Sequence, residues 1–294
     1  MKKTSLFFVL LSCLLSLTFS SCEKAMSDDN GETPGMADGR PIVFRVAAKS
    51  TNPSFSTSTS AFTRITLAVY QNGTIVDQVN QSTEDDNFGN IEMKLAEGTY
   101  NVVVLAHNCS GAVNLANDIN KVAMPDNKVT DSFWCNQEFT VSGTTTNVNL
   151  SLERIVGKFV LNVEDNIPEN VKTTQFYYTG GSSTLDAENG VGIVNSRQTV
   201  KIPITSDMVG KPASYEVYTF PRTDSEFLKM KVTALNASGG TITEKTFENV
   251  PIAKNQVTTY SGSFFGSTPG GEDQNVSFTI TVNTVWDDQV DTAY

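Results

Sequence analysis

Ile65-Thr66-Leu67-Ala68-Val69-Tyr70-Gln71-Asn72-Gly73-Thr74-Ile75-Val76-Asp77-Gln78-Val79 decides the fold class. Ile65, Leu67 and Val69 alternate with Thr66, Ala68 and Tyr70, the period of two expected of a strand with two distinct faces. Asn72-Gly73 accepts the left-handed backbone of a two-residue hairpin turn. A strand, a tight turn and a returning strand over Thr74 to Val79 follow.

The same grammar extends in both directions. Ile42 to Val46 reads as an opening strand, followed by a Ser/Thr-rich loop, Ser50 to Ser60. Ile91, Met93 and Leu95 alternate with Glu92 and Lys94. Glu97-Gly98 then turns into Thr99 to Ala106, a continuous apolar run of the buried type. Ala112 to Val122 reads as one short helix. Phe133 to Val141 and Asn147 to Leu152 complete a first set of strands.

A second set begins in Arg154-Ile155-Val156-Gly157-Lys158-Phe159-Val160-Leu161, which holds no turn signal before Asp165-Asn166-Ile167-Pro168. Further strands are expected at Gln175 to Tyr178, Thr199 to Ile204, Tyr215 to Phe220, Phe227 to Leu235, Thr241 to Phe247 and Thr258 to Phe265. Short strands separated by Gly, Pro and Asn turns predict an all-β chain built from antiparallel sandwiches. The closing segments of the two sets resemble one another, which points to two copies of one sandwich, residues 41–152 and 153–266.

The N-terminus carries a different message. Lys2 and Lys3 precede an apolar run from Leu6 to Leu17, and Phe19-Ser20-Ser21-Cys22 follows. A basic start, a short apolar core and small residues before a cleavage point read as a signal peptide over residues 1–21. The Cys after the small residues makes a lipobox, with Cys22 as the lipidated N-terminus; an ordinary signal peptide with a chance Cys is the alternative. Residues 22–40 read as an acidic, flexible tether.

The formal net charge is −11, and the signal peptide holds two of the basic residues and none of the acidic ones. An acidic chain without a basic patch is a poor nucleic-acid binder, because phosphate contacts need Lys and Arg. Cys109 and Cys135 remain as thiols of an exported protein; they either pair or stay buried and free. There is one His, His107, and no C-x-x-C pair, so neither a zinc site nor a thioredoxin-like site is expected. His107 beside Cys109 suggests a nucleophile and its base, but a structural strand end accounts for both. No hydrolase, zinc-protease or phosphate-loop motif is present, and the carboxylates are scattered in turns, so no catalytic residue, metal or cofactor is assigned. Trp134 and Trp286 could stack on sugar rings or pack in a core or interface.

The tail stands apart. Ser267 to Asp273 reads as a linker opening a C-terminal region, residues 267–294. Val276, Phe278, Ile280 and Val282 then alternate strictly with Ser277, Thr279, Thr281 and Asn283. Such a strand can close its own sheet or join another subunit's, where main-chain bonds supply affinity and alternate side chains fill pockets.

Lipobox, acidic tether, two strand-rich halves and a detached last strand together resemble the fimbrial anchor and minor-subunit lipoproteins of Bacteroides-type bacteria, the FimB/Mfa type. Leu95 to Val104 resembles the strand-turn-strand of their first domain, Leu152 to Lys158 the join, Asn255 to Gly262 the closing strands, and Phe278 to Trp286 the C-terminal end. The resemblance implies two transthyretin-like (Greek-key) β-sandwiches and a non-catalytic pilus subunit supporting cell adhesion. It also implies attachment to the outer membrane through the lipid, with other fimbrial subunits as partners. In such systems stalk subunits lose an N-terminal strand to a protease that cuts after Arg; Arg45 and Arg64 are the matching positions, while Arg40 precedes Pro41. An anchor needs no such cut, and would instead donate Val276, Phe278, Ile280 and Val282 to a stalk groove. A surface glycan-binding lipoprotein is the alternative, and a secreted hydrolase a third reading.

Overall fold

The computed structural model describes residues 39–49, 61–266, 278–284 and 286. These lie in one compact unit, Ala37–Tyr294. The signal peptide, Cys22 and the tether up to residue 38, the Ser50 to Ser60 loop, and the linker with Val276 fall outside the described residues; Arg40, expected at the end of the tether, opens the first strand.

Eighteen strands follow one another along the described chain. The first half holds β1 (Arg40–Ala48), β2 (Arg64–Gln71), β3 (Thr74–Ser82), β4 (Asn90–Leu95), β5 (Gly98–His107), β6 (Val122–Ala123), β7 (Ser132–Val141) and β8 (Asn147–Arg154). The second half holds β9 (Gly157–Val163), β10 (Thr173–Thr179), β11 (Thr184–Asp186), β12 (Val191–Gly192), β13 (Gln198–Pro203), β14 (Ala213–Thr219), β15 (Phe227–Leu235), β16 (Thr241–Pro251), β17 (Val257–Gly262) and β18 (Thr279–Asn283). The deciding hairpin forms as read: β2 pairs with β3 across Asn72 and Gly73, both at positive φ.

The two halves repeat one topology. In the second, β13-β10-β15-β16 faces β14-β9-β17-β18. In the first, β3-β2-β5-β7 faces β8-β1-β4, joined at a corner where β7 meets β8 through two residue pairs, Phe133↔Arg154 and Trp134↔Glu153. In each half the first strand runs parallel to a late neighbour in its own layer: β1 with β8, and β9 with β17. Aligned by these ladders, Phe44 corresponds to Phe159; Phe44 meets Phe139 edge-on at 5.3 Å, while Phe159 lies among Tyr260, Phe247 and Phe176 at 5.6, 5.9 and 6.3 Å. Alternation explains both interiors. Ile42, Phe44 and Val46 point into the first core and Phe159, Leu161 and Val163 into the second.

A third core joins the halves. Ala68, Tyr70, Val103 and Leu105 on the outer face of the first sandwich meet Val113, Leu115, Val122 and Met124 from the following connection. Ile155, Val156, Leu185, Ala187 and Phe220 complete it. A small sheet, β12-β11-β6, spans the halves by pairing Leu185 with Val122 and Thr184 with Ala123.

Two expectations change. Ala112 to Val122 forms bends and turns instead of a helix. Side chains capture its backbone: Gln78 Oε1 accepts the N–H groups of Leu115 and Ala116, and Tyr70 donates its hydroxyl to the Leu115 carbonyl. The strand expected at Asn147 to Leu152 runs on to Arg154, and its end pairs with β7.

His107 is fully buried at the end of β5. Its Nδ1 accepts the Cys109 N–H at 3.1 Å, and its Nε2 has no hydrogen-bond partner. Burial, with Arg64 nearby, pushes its pKa down from 6.5 to about 4. The unfolded chain therefore takes up this proton near pH 6.5 while the folded chain resists it, so stability present above that pH is lost as the pH falls toward 4. The loss should total about 3 kcal/mol. Thermal unfolding between pH 7 and 4.5 should show this fall in wild type, and a much shallower one in His107→Gln.

Candidate functional site

β18 lies antiparallel on β17, with Ile280 opposite Tyr260 and Val282 opposite Thr258. Tyr260 and Thr258 are buried on the inner face of the sheet, so Ile280 and Val282 share that face. Unlike their partners they are left open, 54% and 41% exposed. Phe278 alone reaches cover, meeting Phe247 edge-on at 5.0 Å beneath the Lys245 ammonium. The strand is thus held mainly by its main-chain ladder, and most of its apolar face remains uncovered.

Three residues further on, Trp286 fixes the chain again. Its ring is 9% exposed and lies 3.8 Å from the Arg154 guanidinium and 4.3 Å from the Lys158 ammonium, stacked on Tyr218 at 5.9 Å. Cations over an indole face are attracted by its quadrupole, more strongly where water is excluded. Main-chain bonds complete the pin: Trp286 N–H donates to the Asn255 carbonyl, and its carbonyl accepts from Arg154 Nη1 at 3.1 Å. Asn255 presents that carbonyl from the Lys254-Asn255 turn, where it adopts φ 54°.

Arg154 is in turn locked by Asp131, with contacts of 2.8 Å and 3.0 Å. Lys158 bonds Glu216 at 2.9 Å, and the Tyr218 hydroxyl donates to the same carboxylate at 2.6 Å. Burial pushes the Glu216 pKa up, but the Tyr218 and Lys158 bonds outweigh it and hold the group below the usual carboxylate range. The Tyr218 phenol is raised by burial and by that carboxylate. Glu216 accordingly remains a carboxylate at neutral pH.

The other sequence-marked residues separate. Cys109 and Cys135 are free thiols. Cys109 belongs to the third core, where its Sγ bonds the Lys128 carbonyl at 3.2 Å; Cys135 packs against the first core. Burial raises both thiol pKa values, that of Cys135 to about 12, which disfavours a nucleophilic thiolate. His107 bonds the Cys109 backbone, and the Cys109 thiol turns to Lys128 and Thr130 instead. Trp134 donates its indole N–H to the Ala187 carbonyl at 2.6 Å and packs on Gly190. Gly190 adopts φ 66°, and a Cβ there would fall 2.8 Å from the ring, so this contact requires glycine. Arg45 lies within β1, and Arg64 opens β2 with its Nε on the Cys109 carbonyl. Among the described residues, no group of three or more His, Cys, Asp or Glu is arranged to hold a metal, and no helix is long and apolar enough to cross a membrane.

Arg154 and Trp286 as a clamp escaped the sequence reading. The available signal was a lone Arg inside the turnless join, 132 positions from the Trp it holds.

The fold is that of an all-β protein of paired sandwiches, with a last strand laid apolar-side-open on its own sheet edge. The family follows from the chain itself: the model for fimbrillin-A associated anchor proteins Mfa1 and Mfa2 matches residues 44–291, and the chain belongs to that family. No curated protein sequence matches it. Its fold is similar to a Bacteroides thetaiotaomicron protein described as a candidate polysaccharide-binding protein, with TM-score 0.53, 10% identity, and coverage of 83% of this chain and 96% of that one. A candidate adhesin from the same species gives TM-score 0.52 and 13% identity, over 85% and 98% of the two chains. The fimbrial anchor protein Mfa2 of Porphyromonas gingivalis gives 0.49 and 9%, over 84% and 98%.

Replacing Trp286 with Ala should loosen β18 selectively. Amide exchange of residues 279–283 should accelerate about tenfold or more, while the β9–β17 ladder keeps its protection. Equal acceleration in both would mean that Trp286 supports the whole sandwich.

Proposed function

We propose that the chain is a non-catalytic fimbrial subunit, an anchor or accessory component, that joins its neighbour by donating its C-terminal strand. The observation that carries this reading is the open apolar face of β18, with Ile280 and Val282 exposed on an edge strand without a charge. A strand that serves only its own sheet gains little from such side chains, whereas in a neighbour's groove they would be buried. Family membership supports a place in the fimbrium at the cell surface. The packed positions of both Trp side chains favour a structural role over a sugar platform. Cys22 would carry the lipid that holds the subunit to the outer membrane, leaving the folded halves outside.

The test is recovery of fimbrial subunits from outer-membrane extracts. The intact chain should capture them, and a chain ending at Gly271, or one carrying Phe278→Asp and Ile280→Asp, should not. Equal capture by all three would overturn strand donation. Cells fed an alkyne-tagged palmitate should label the wild-type protein, and Cys22→Ala should abolish both the label and retention in the membrane fraction. A label that survives this change would place the acyl group elsewhere.

A further inference from the structure

Cations gather on one outer face of the second half. Phe176, Tyr178, Met230 and Val232 belong to the second core, so by alternation Tyr177, Lys229 and Lys231 stand on the outer face of β13-β10-β15-β16. Val200 and Ile202 pack against the same core, which turns Thr199 and Lys201 outward as well. Tyr177 pairs with Thr199 on one side and with Lys231 on the other. Two residues away along β10, Gln175 lies opposite Lys201 in one direction and Thr179 opposite Lys229 in the other. Neighbouring strands are about 4.8 Å apart, so three ammonium groups surround one aromatic ring. These residues are distant in sequence, and the sheet alone brings them together.

Two further observations mark this face. Tyr177 is unlike the other described tyrosines. Tyr70, Tyr100, Tyr178, Tyr215 and Tyr260 are buried, and Tyr218 is bonded to Glu216 and stacked on Trp286. Tyr177 is half-buried, and among the described residues its hydroxyl has no hydrogen-bond partner and its ring meets no other ring. The charge setting is equally distinct. The whole chain has a net charge of −11, yet β10, β13 and β15 contain no Asp or Glu. Carboxylates reach in only from β16, Glu248 to Lys229 at 2.6 Å and Glu244 to Lys231 at 3.2 Å. Both pairs are exposed to solvent, where such pairs hold weakly. Lys201 has no carboxylate partner among the described residues.

We propose that this face binds an acidic polysaccharide, one whose sugar rings carry carboxylate or sulfate groups. The Tyr177 ring offers a flat apolar body to the C–H face of one sugar, and its hydroxyl is free to bond a sugar oxygen. Gln175 and Thr199, beside the ring, supply an amide and a hydroxyl for the sugar hydroxyls. Lys201, Lys229 and Lys231 receive the anionic groups, the last two exchanging their exposed glutamates for them. A local cluster of cations sets the potential at its own surface even on an acidic chain, because more distant charges are screened. A flat, open sheet face suits a chain molecule laid across the strands, whereas a small molecule needs a concave pocket. The inference is separate from strand donation, because β18 belongs to the facing layer.

The probe is a chondroitin sulfate oligosaccharide, titrated into the full chain and followed by calorimetry, with a neutral dextran oligosaccharide for comparison. Chondroitin sulfate should bind, less tightly as salt is raised, and dextran should not. Tyr177→Thr keeps a strand-forming residue and every charge, and should weaken binding about tenfold or more, whereas Tyr177→Phe should retain most of it. Lys201 is exposed and unpaired, so Lys201→Glu leaves the fold intact and should also weaken binding about tenfold or more. Lys121→Glu, the same charge change at an exposed position of the first half, should not. No binding of chondroitin sulfate, equal binding of dextran, or equal losses in Lys201→Glu and Lys121→Glu would overturn the proposal. Full affinity in Tyr177→Thr would do so as well, because the ring would then take no part. Retention on phosphatidylglycerol vesicles that Lys201→Glu abolishes, without affinity for chondroitin sulfate, would give the face to a lipid surface instead. Capture of fimbrial subunits by Tyr177→Thr should match that of the intact chain, so this reading and strand donation fail independently.

Discussion

A single guanidinium holds the joint of this molecule. Arg154 sits at the end of β8, where the first half hands over to the second, and its side chain is 6% exposed. Its donors go to Asp131 in the first half and to the Trp286 carbonyl at the C-terminal end, and its plane covers the rings of Trp286 and Phe133. A planar fork with several donors and a weakly hydrated face is suited to this position in a way an ammonium is not. Burying such a charge costs several kcal/mol, roughly offset only when geometry and hydrogen bonds are complete, and removing one partner of a buried pair typically costs about 3–5 kcal/mol. The cluster is thus better regarded as a device that fixes one arrangement than as a source of net stability. It ties the path of the last strand to the angle of the join.

Much of the fold was legible because the strands announce themselves by alternation. Ile65, Leu67 and Val69, and again Ile91, Met93 and Leu95, are inward-facing as their spacing demands. The Asn72-Gly73 turn forms for the stereochemical reason that marks it in sequence. The family resemblance, resting on the order of short segments, is matched by the family model over residues 44–291. The failures have a common cause. Ala112 to Val122 carries enough apolar residues to suggest a helix, yet Gln78 and Tyr70, more than thirty positions away, decide its path. The third core likewise draws on Ala68, Leu115, Ile155 and Leu185, which no local period connects.

The candidate site was half legible. The alternation of Phe278, Ile280 and Val282 singled out the strand, and the structure shows the open face that alternation alone could not establish. Pairing on the strand's own sheet and joining a neighbour remained equal readings in sequence, since both require the same pattern. Whether Cys109 and Cys135 pair or stay free was open in the sequence, and in the structure they are free thiols. They occupy different cores, because Cys135 faces into the sandwich and Cys109 lies beyond the end of β5 in the connection packed outside it.

The parallel pairing of β1 with β8, and of β9 with β17, has a mechanical consequence. A tensile load drawing β1 one way at its N-terminal end and β8 the other at its C-terminal end acts along both strands. It loads their six paired positions in shear, so the bonds share the force and must give way together rather than peel singly. β9 and β17 repeat this arrangement with six further pairs. Because the chain passes directly from β8 into β9, the two shear patches lie in series along one line of force. Resistance to forced extension is set by the height of the unfolding barrier, not by equilibrium stability. A body of this design can be only marginally stable at rest and still yield slowly when pulled by its ends.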